Sequence, residues 1–196
     1  MQDSRKPHSF KLTRYCSGAF FLILFCSLCA CASKDYPPLE TVDYVEPDKF
    51  AGKWFVIANI PYFAEKNKVG SYTIYRKREG RIYDDIFGAH EKDFSKPAKQ
   101  LKGRVKIVNE SNTRWKSTFY RVINFTFEVV HIEGDYDIAL LGHPSRDYGW
   151  VMARTNTISS NQYENAMTVF RERGYDTAKF FKVPQLPEQI GQVGFQ

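Results

Sequence analysis

The chain has 196 residues, 43% of them hydrophobic and 26% charged, with a formal net charge of +6. A domain takes roughly 100–200 residues, so there is room for one domain and a leader, and the absence of low-complexity tracts excludes a fibrous or disordered chain. Four of the cationic residues lie within the first 30; without that segment the net charge is +3, an ordinary value that argues against a nucleic-acid partner.

The amino terminus reads as a targeting segment over residues 1–30. Arg5, Lys6, Lys11 and Arg14 form a basic region, followed by an uncharged apolar stretch that includes Phe20, Phe21, Leu22, Ile23, Leu24 and Phe25. That stretch is short of the roughly 20 residues of a membrane-spanning helix, and it fits a secretory signal, with an uncleaved anchor as the alternative. Leu28-Cys29-Ala30-Cys31 resembles the lipobox of bacterial lipoproteins. The resemblance implies cleavage before Cys31, a diacylglycerol on its sulfur and an acyl chain such as palmitate on its amine. Two or more chains give stable anchoring. Ala32 after that cysteine resembles the pattern for transfer to the outer membrane, with the protein on its periplasmic face. All four cysteines (Cys16, Cys26, Cys29, Cys31) lie in the leader or at its end. No disulfide or cysteine-based site is therefore expected in the mature chain.

Residues 31–49, with Pro37-Pro38 and several acids, read as an extended, lipidated tether. The domain is expected over 50–185. Strand-like runs are predicted over 54–61, 71–78, 81–90, 100–109, 114–121, 124–133, 136–143 and 148–155. Short strands at regular spacing imply an all-β sandwich or barrel. A helix follows, capped by Ser159 or Ser160 and stopped at Gly174, with Tyr163, Met167, Val169 and Phe170 as its apolar positions. A short ninth strand over 179–184 and a polar tail over 186–196 end the chain.

Gly52-Lys53-Trp54 at the first strand resembles the G-x-W motif of the lipocalins. Gly134-Asp135-Tyr136 falls at the sixth-to-seventh turn, where that family has T-D-Y. The run from Ala139 to Thr155 is similar to the last two barrel strands of bacterial and plant lipocalins, ending on Arg154-Thr155. The resemblance implies an eight-stranded antiparallel up-and-down barrel with one C-terminal helix and a ninth strand. It also implies a lipid ligand (a fatty acid, lysophospholipid or phospholipid), storage or transport of lipids for membrane maintenance, and a homodimer as one assembly. The family's Gly/Pro-rich turn between strands five and six is replaced here by Arg121, Val122 and Ile123. Successive strands of such a barrel reverse direction, so Trp54, Gly134–Tyr136 and Arg154 meet at one end. There the Arg154 guanidinium can stack on the indole, a contact worth about 0.5–2 kcal/mol. Gly52, Trp54, Asp135, Tyr136 and Arg154 are expected to be structural.

Side chains alternate across a strand. Taking Trp54 and Arg154 as inward, parity assigns to a ligand cavity Val56 and Ala58 of strand one, Tyr72 of strand two, and Val105 and Ile107 of strand four. Trp115 and Phe119 follow from strand five, Phe125, Phe127, Val129 and His131 from strand six, Ala139 and Leu141 from strand seven, and Trp150 and Met152 from strand eight. Small residues such as Ser117 among large ones favour an open interior, since a barrel of this size either fills with side chains or holds one small ligand.

No zinc-protease, nucleophile-elbow, P-loop or dinucleotide pattern occurs, and His90, His131 and His143 have no metal-ligand spacing. No metal or cofactor and no catalytic residue is expected. Two other functions stay open. One is a lipid-modifying enzyme, which needs a Cys or an acid inside the barrel, and the inward set above has neither. The other is a structural lipoprotein with an occluded interior.

Overall fold

The computed structural model describes residues 36–196; the leader and Cys31 lie outside the described residues. All eight expected strands form, with bounds within three residues of the sequence reading. They are β1 (Gly52–Ile60), β2 (Lys68–Lys77), β3 (Ile82–Glu91), β4 (Lys99–Ile107), β5 (Arg114–Phe119), β6 (Ile123–Glu133), β7 (Ile138–Gly142) and β8 (Gly149–Ala153). Each pairs antiparallel with the next, and β1 pairs with both β8 and β2, which closes the barrel.

The two ends are built differently. Turns 78–81, 108–113 and 134–137 belong to the end where β1 starts. Turns 61–67, 92–98, 120–122 and 143–148 surround the other end. A short helix α1 (Pro47–Phe50) lies under the first end and lays Phe50 against Trp54 and Trp115, at centroid distances of 5.3 and 5.0 Å.

Helix α2 (Ser160–Glu172) opens with a reciprocal capping box between Ser159 and Gln162. It buries Ala166, Met167 and Phe170 against the outer faces of β1, β7 and β8. The expected ninth strand shrinks to β9 (Phe181–Lys182), beside the second half of β1. Beyond it, Gln185 donates from Nε2 to the carbonyls of Val56 and Ser71 at 2.7 and 3.0 Å, filling the gap where β1 and β2 diverge. The tail is not free, since the Gln196 amide donates to Lys182 O.

The tether reading needs correction over residues 36–49. Leu39 and Val45 are buried, the Val42 amide donates to Val129 O, and the Val45 amide donates to Ser111 O. Composition there signals a chain without regular structure, which holds as far as Glu46, before α1 begins. The segment is packed along the barrel because its two apolar side chains find sites on it.

Candidate functional site

The closed end is dry and heavily bonded. Trp54 is fully buried and donates from Nε1 to Phe50 O at 2.8 Å. The Arg154 guanidinium lies 3.6 Å over the indole and donates to the carbonyls of Lys53, Lys49 and Tyr136. One side chain thus ties β1, α1 and the β6–β7 turn together. Gly52 adopts φ 97°, a left-handed backbone that favours glycine, and a Cβ there would stand 3.4 Å from Arg154 Nη1. The Tyr136 hydroxyl accepts from the Glu46 amide at 2.7 Å, while Asp135 is exposed and meets Lys49 at 3.0 Å.

Above this plug the interior contains Val56, Val105, Ile107, Trp115, Phe127, Val129, Ala139, Leu141, Trp150 and Met152, with Phe119 and Phe125 nearer the open end. Three expected cavity residues lie elsewhere. Ala58 faces out against α2, because an irregularity in the β1–β8 register between Val56 and Ala58 inserts one residue and reverses the parity. His131 faces out opposite Leu140, after a similar irregularity between Val129 and His131. Tyr72 pairs with Gly88 on the outer face, where its hydroxyl accepts from Gln100 Nε2 at 2.9 Å and Lys53 lies over its ring. The β2–β3 register is also irregular, between Val69 and Tyr72.

The interior is much fuller than its small residues suggest. Its cavity measures about 40 Å³, against roughly 300–1,000 Å³ for an ordinary ligand site. Phe119, Phe125 and Trp150 fill the upper barrel, with Phe125–Trp150 and Phe125–Tyr62 centroids 5.9 and 6.1 Å apart.

Two buried acids line this cavity, which overturns the expectation that the interior holds none. Asp85 accepts from Thr73 Oγ1 at 2.9 Å and from Ser117 Oγ at 2.6 Å. Burial pushes its pKa up to about 6, against the pull of those two hydrogen bonds. Glu65 comes from the β1–β2 turn, which folds inward below the mouth. Its Oε1 accepts from Trp150 Nε1 at 2.9 Å and its Oε2 from the Tyr62 amide at 3.3 Å. Burial raises it to about 7. The sequence carried a signal for Asp85: adjacent strand residues point to opposite faces, so one of Asp84-Asp85 must point inward. Glu65 carried none, because an acid in a loop ordinarily points to water.

The open end exposes large apolar side chains. Phe63, Tyr120, Val122 and Tyr148 protrude from its turns. Outside the barrel, a cleft of about 730 Å³ runs from Arg76 and Arg78 across Lys102 and Arg104 to Arg121. Among the described residues, no group of three or more His, Cys, Asp or Glu is placed to hold a metal ion.

Known proteins similar to this chain agree with the fold. The sequence model described as "Lipocalin-like domain" matches residues 45–185. The chain is 27% identical to temperature-induced lipocalin-1 of Arabidopsis thaliana over 159 residues, which are 75% of this chain and 83% of that protein. It is 25% identical over 170 residues to the outer membrane lipoprotein Blc of Escherichia coli K12, covering 85% of this chain and 92% of that one. In structure it is similar to insecticyanin of the tobacco hornworm Manduca sexta, with a TM-score of 0.62 at 19% identity over 80% of this chain and 89% of that one. Apocrustacyanin C2 matches with a TM-score of 0.60 at 12% identity, covering 73% and 81%.

Proposed function

The chain belongs to the lipocalin-like family, and on that premise we propose that it is an outer-membrane lipoprotein, acylated at Cys31 and facing the periplasm. Its barrel takes up one acyl lipid, a fatty acid or a (lyso)phospholipid, for storage or transport in membrane maintenance. The observation that carries this reading is the asymmetry of the interior. One end is sealed by Trp54 and the Arg154 bonds. The other is covered by the β1–β2 turn and by the side chains of Tyr62, Phe125 and Trp150, held there by the Glu65–Trp150 hydrogen bond.

A cavity of about 40 Å³ holds a few water molecules at most, so uptake requires the mouth to open. The group to release is the Glu65–Trp150 hydrogen bond, which pins the β1–β2 turn over the barrel. Once Tyr62, Phe125 and Trp150 move, the walls below are Val56, Phe119, Phe127, Leu141 and Met152. Each methylene buried among them contributes about 0.8 kcal/mol.

Titration of delipidated protein with lysophospholipid should change tryptophan emission and saturate near one ligand per barrel. Trp150→Phe should lose most of that response and remain folded. A folded, delipidated barrel with no saturable response to any acyl ligand refutes lipid binding.

Asp85 and Glu65 favour a second reading, a lipid-modifying enzyme, because carboxyls with pKa near 6 and 7 are suited to proton transfer at neutral pH. Mass spectrometry of the lipid recovered after incubation separates the two. An unchanged lipid supports carriage and a converted one catalysis.

A further inference from the structure

The two ends of the barrel differ in charge. The turns of the open end expose Lys66, Lys92, Lys96 and Arg121 against Asp93 and Asp147. The closed end exposes Glu46, Asp48, Glu79, Glu110, Asp135 and Asp137 against Lys49, Arg78 and Arg81, and Lys53 and Lys77 at the adjoining strand ends bring it close to neutral. The turns of the basic end also carry the more exposed apolar side chains: Phe63 is 76% exposed, Val122 75% and Tyr120 70%, against 45% for Val108 at the closed end.

The display at residues 119–122 is held against local preference. The Val122 amide donates to Phe119 O, and Tyr120 and Arg121 both adopt positive φ, 50° and 62°. That is a type I′ hairpin turn, whose two central positions ordinarily take Asn-Gly. Here they hold a tyrosine and an arginine. Both side chains are exposed.

The described chain also begins at this end. The Arg146 guanidinium, in the β7–β8 turn, lies 5.1 Å over the Tyr36 ring and donates to Pro37 O at 2.9 Å. Cys31 is five residues before Tyr36, and five fully extended residues reach about 18 Å.

We propose that the open end of the barrel rests on an anionic phospholipid surface. Phe63, Tyr120, Val122 and Tyr148 enter the interfacial layer, and Lys66, Lys92, Lys96 and Arg121 lie over the headgroups. Amphipathic surfaces of this kind bind through apolar burial together with attraction to anionic lipid. An acyl chain leaving the bilayer then meets the Glu65–Trp150 closure directly, without crossing water. The inference rests on acylation at Cys31 for its anchor, but not for its orientation.

The test uses the mature, acylated chain in vesicles of phosphatidylethanolamine and phosphatidylglycerol. The leader cysteines are absent from it and the Cys31 sulfur is blocked, so Val122→Cys and Glu110→Cys can each take one fluorophore, with thermal melts confirming that both fold. A quencher carried on the lipid should extinguish the Val122 label several-fold more than the Glu110 label. Lys66→Glu with Arg121→Glu should at least halve the difference while the anchor keeps the protein on the vesicle. Equal quenching at the two sites overturns the inference and leaves lipid binding and anchoring untouched. Concentration-dependent shielding of the Val122 label without vesicles also overturns it, by assigning the rim to a second copy of the chain. If the intact mass shows no acyl chain, the anchor reading fails separately. Binding of that unacylated protein to the same vesicles through the rim then upholds the inference, and no binding overturns it.

Discussion

The closed and open ends of this barrel solve opposite problems with similar residue types. At the closed end, aromatic rings are stacked inside, Arg154 meets three backbone carbonyls, and surface acids are paired with lysines. At the open end, rings are split between the interior and the solvent, and a single buried acid ties the turn to the wall. The first arrangement is stable because Trp54 has no route out. The second rests on one hydrogen bond from Trp150 to Glu65 between the turn and the wall.

The largest effect should come from breaking the sealed end. Trp54 has no exposed surface and packs against Phe50 and the Arg154 guanidinium. Trp54→Ala should cost about 3–5 kcal/mol, the range for truncating a large buried aromatic. Chemical denaturation measures it. A loss below about 1 kcal/mol means the plug contributes little and the contrast between the ends is wrong.

How much of this was legible in the sequence depends on what lies outside each strand. β4 and β5 have wet outer faces, so Lys102, Arg104 and Lys106 alternate with inward residues and the parity reading holds to the last residue. β1 and β6 are covered, in part, by α2 and the Leu39 segment, so both of their faces are apolar. There an inserted residue leaves no mark in the polarity pattern, and Ala58 and His131 were assigned to the wrong face. The sealed end could be read because its motif residues fall at three corresponding strand ends. The open end could not, since Glu65 sits in a turn whose inward fold depends on Trp150, 85 residues away.

A smaller effect should appear with pH at the open end. Burial raises Glu65 from its ordinary 4.5 to about 7 in the folded state. The folded protein therefore holds this proton more tightly than the unfolded chain. The stability linked to it is fully present below about pH 4.5 and is lost as pH rises through 7. The full shift corresponds to a few kcal/mol. Relative to Glu65→Gln, which keeps an uncharged side chain, the wild type should lose on the order of 2 kcal/mol between pH 5 and pH 8. Asp85, raised to about 6 by burial, contributes in the same direction over a lower window, from about 4 to 6. If the difference between wild type and Glu65→Gln stays flat over that range, Glu65 is not held as a buried acid.

The smallest effect is expected at a motif position of the sealed end itself. Asp135 stands where the resembled motif has its acid, beside Tyr136, whose hydroxyl is bonded to the Glu46 amide. Its side chain is nevertheless 82% exposed, and Lys49, its one ionic partner among the described residues, is 46% exposed. An ion pair between two solvated side chains gains little, because water screens both charges and ordering them costs side-chain entropy. Asp135→Ala should therefore change stability by no more than about 0.5 kcal/mol, and addition of salt should move wild type and variant alike. Tyr136, by contrast, holds its turn at φ 66°, so its contribution lies in the backbone and the phenol. A loss above about 1.5 kcal/mol in Asp135→Ala would show that the acid orders the turn that Arg154 Nε binds through Tyr136 O. The stabilising network of the sealed end would then reach the surface, where its exposure now sets the boundary.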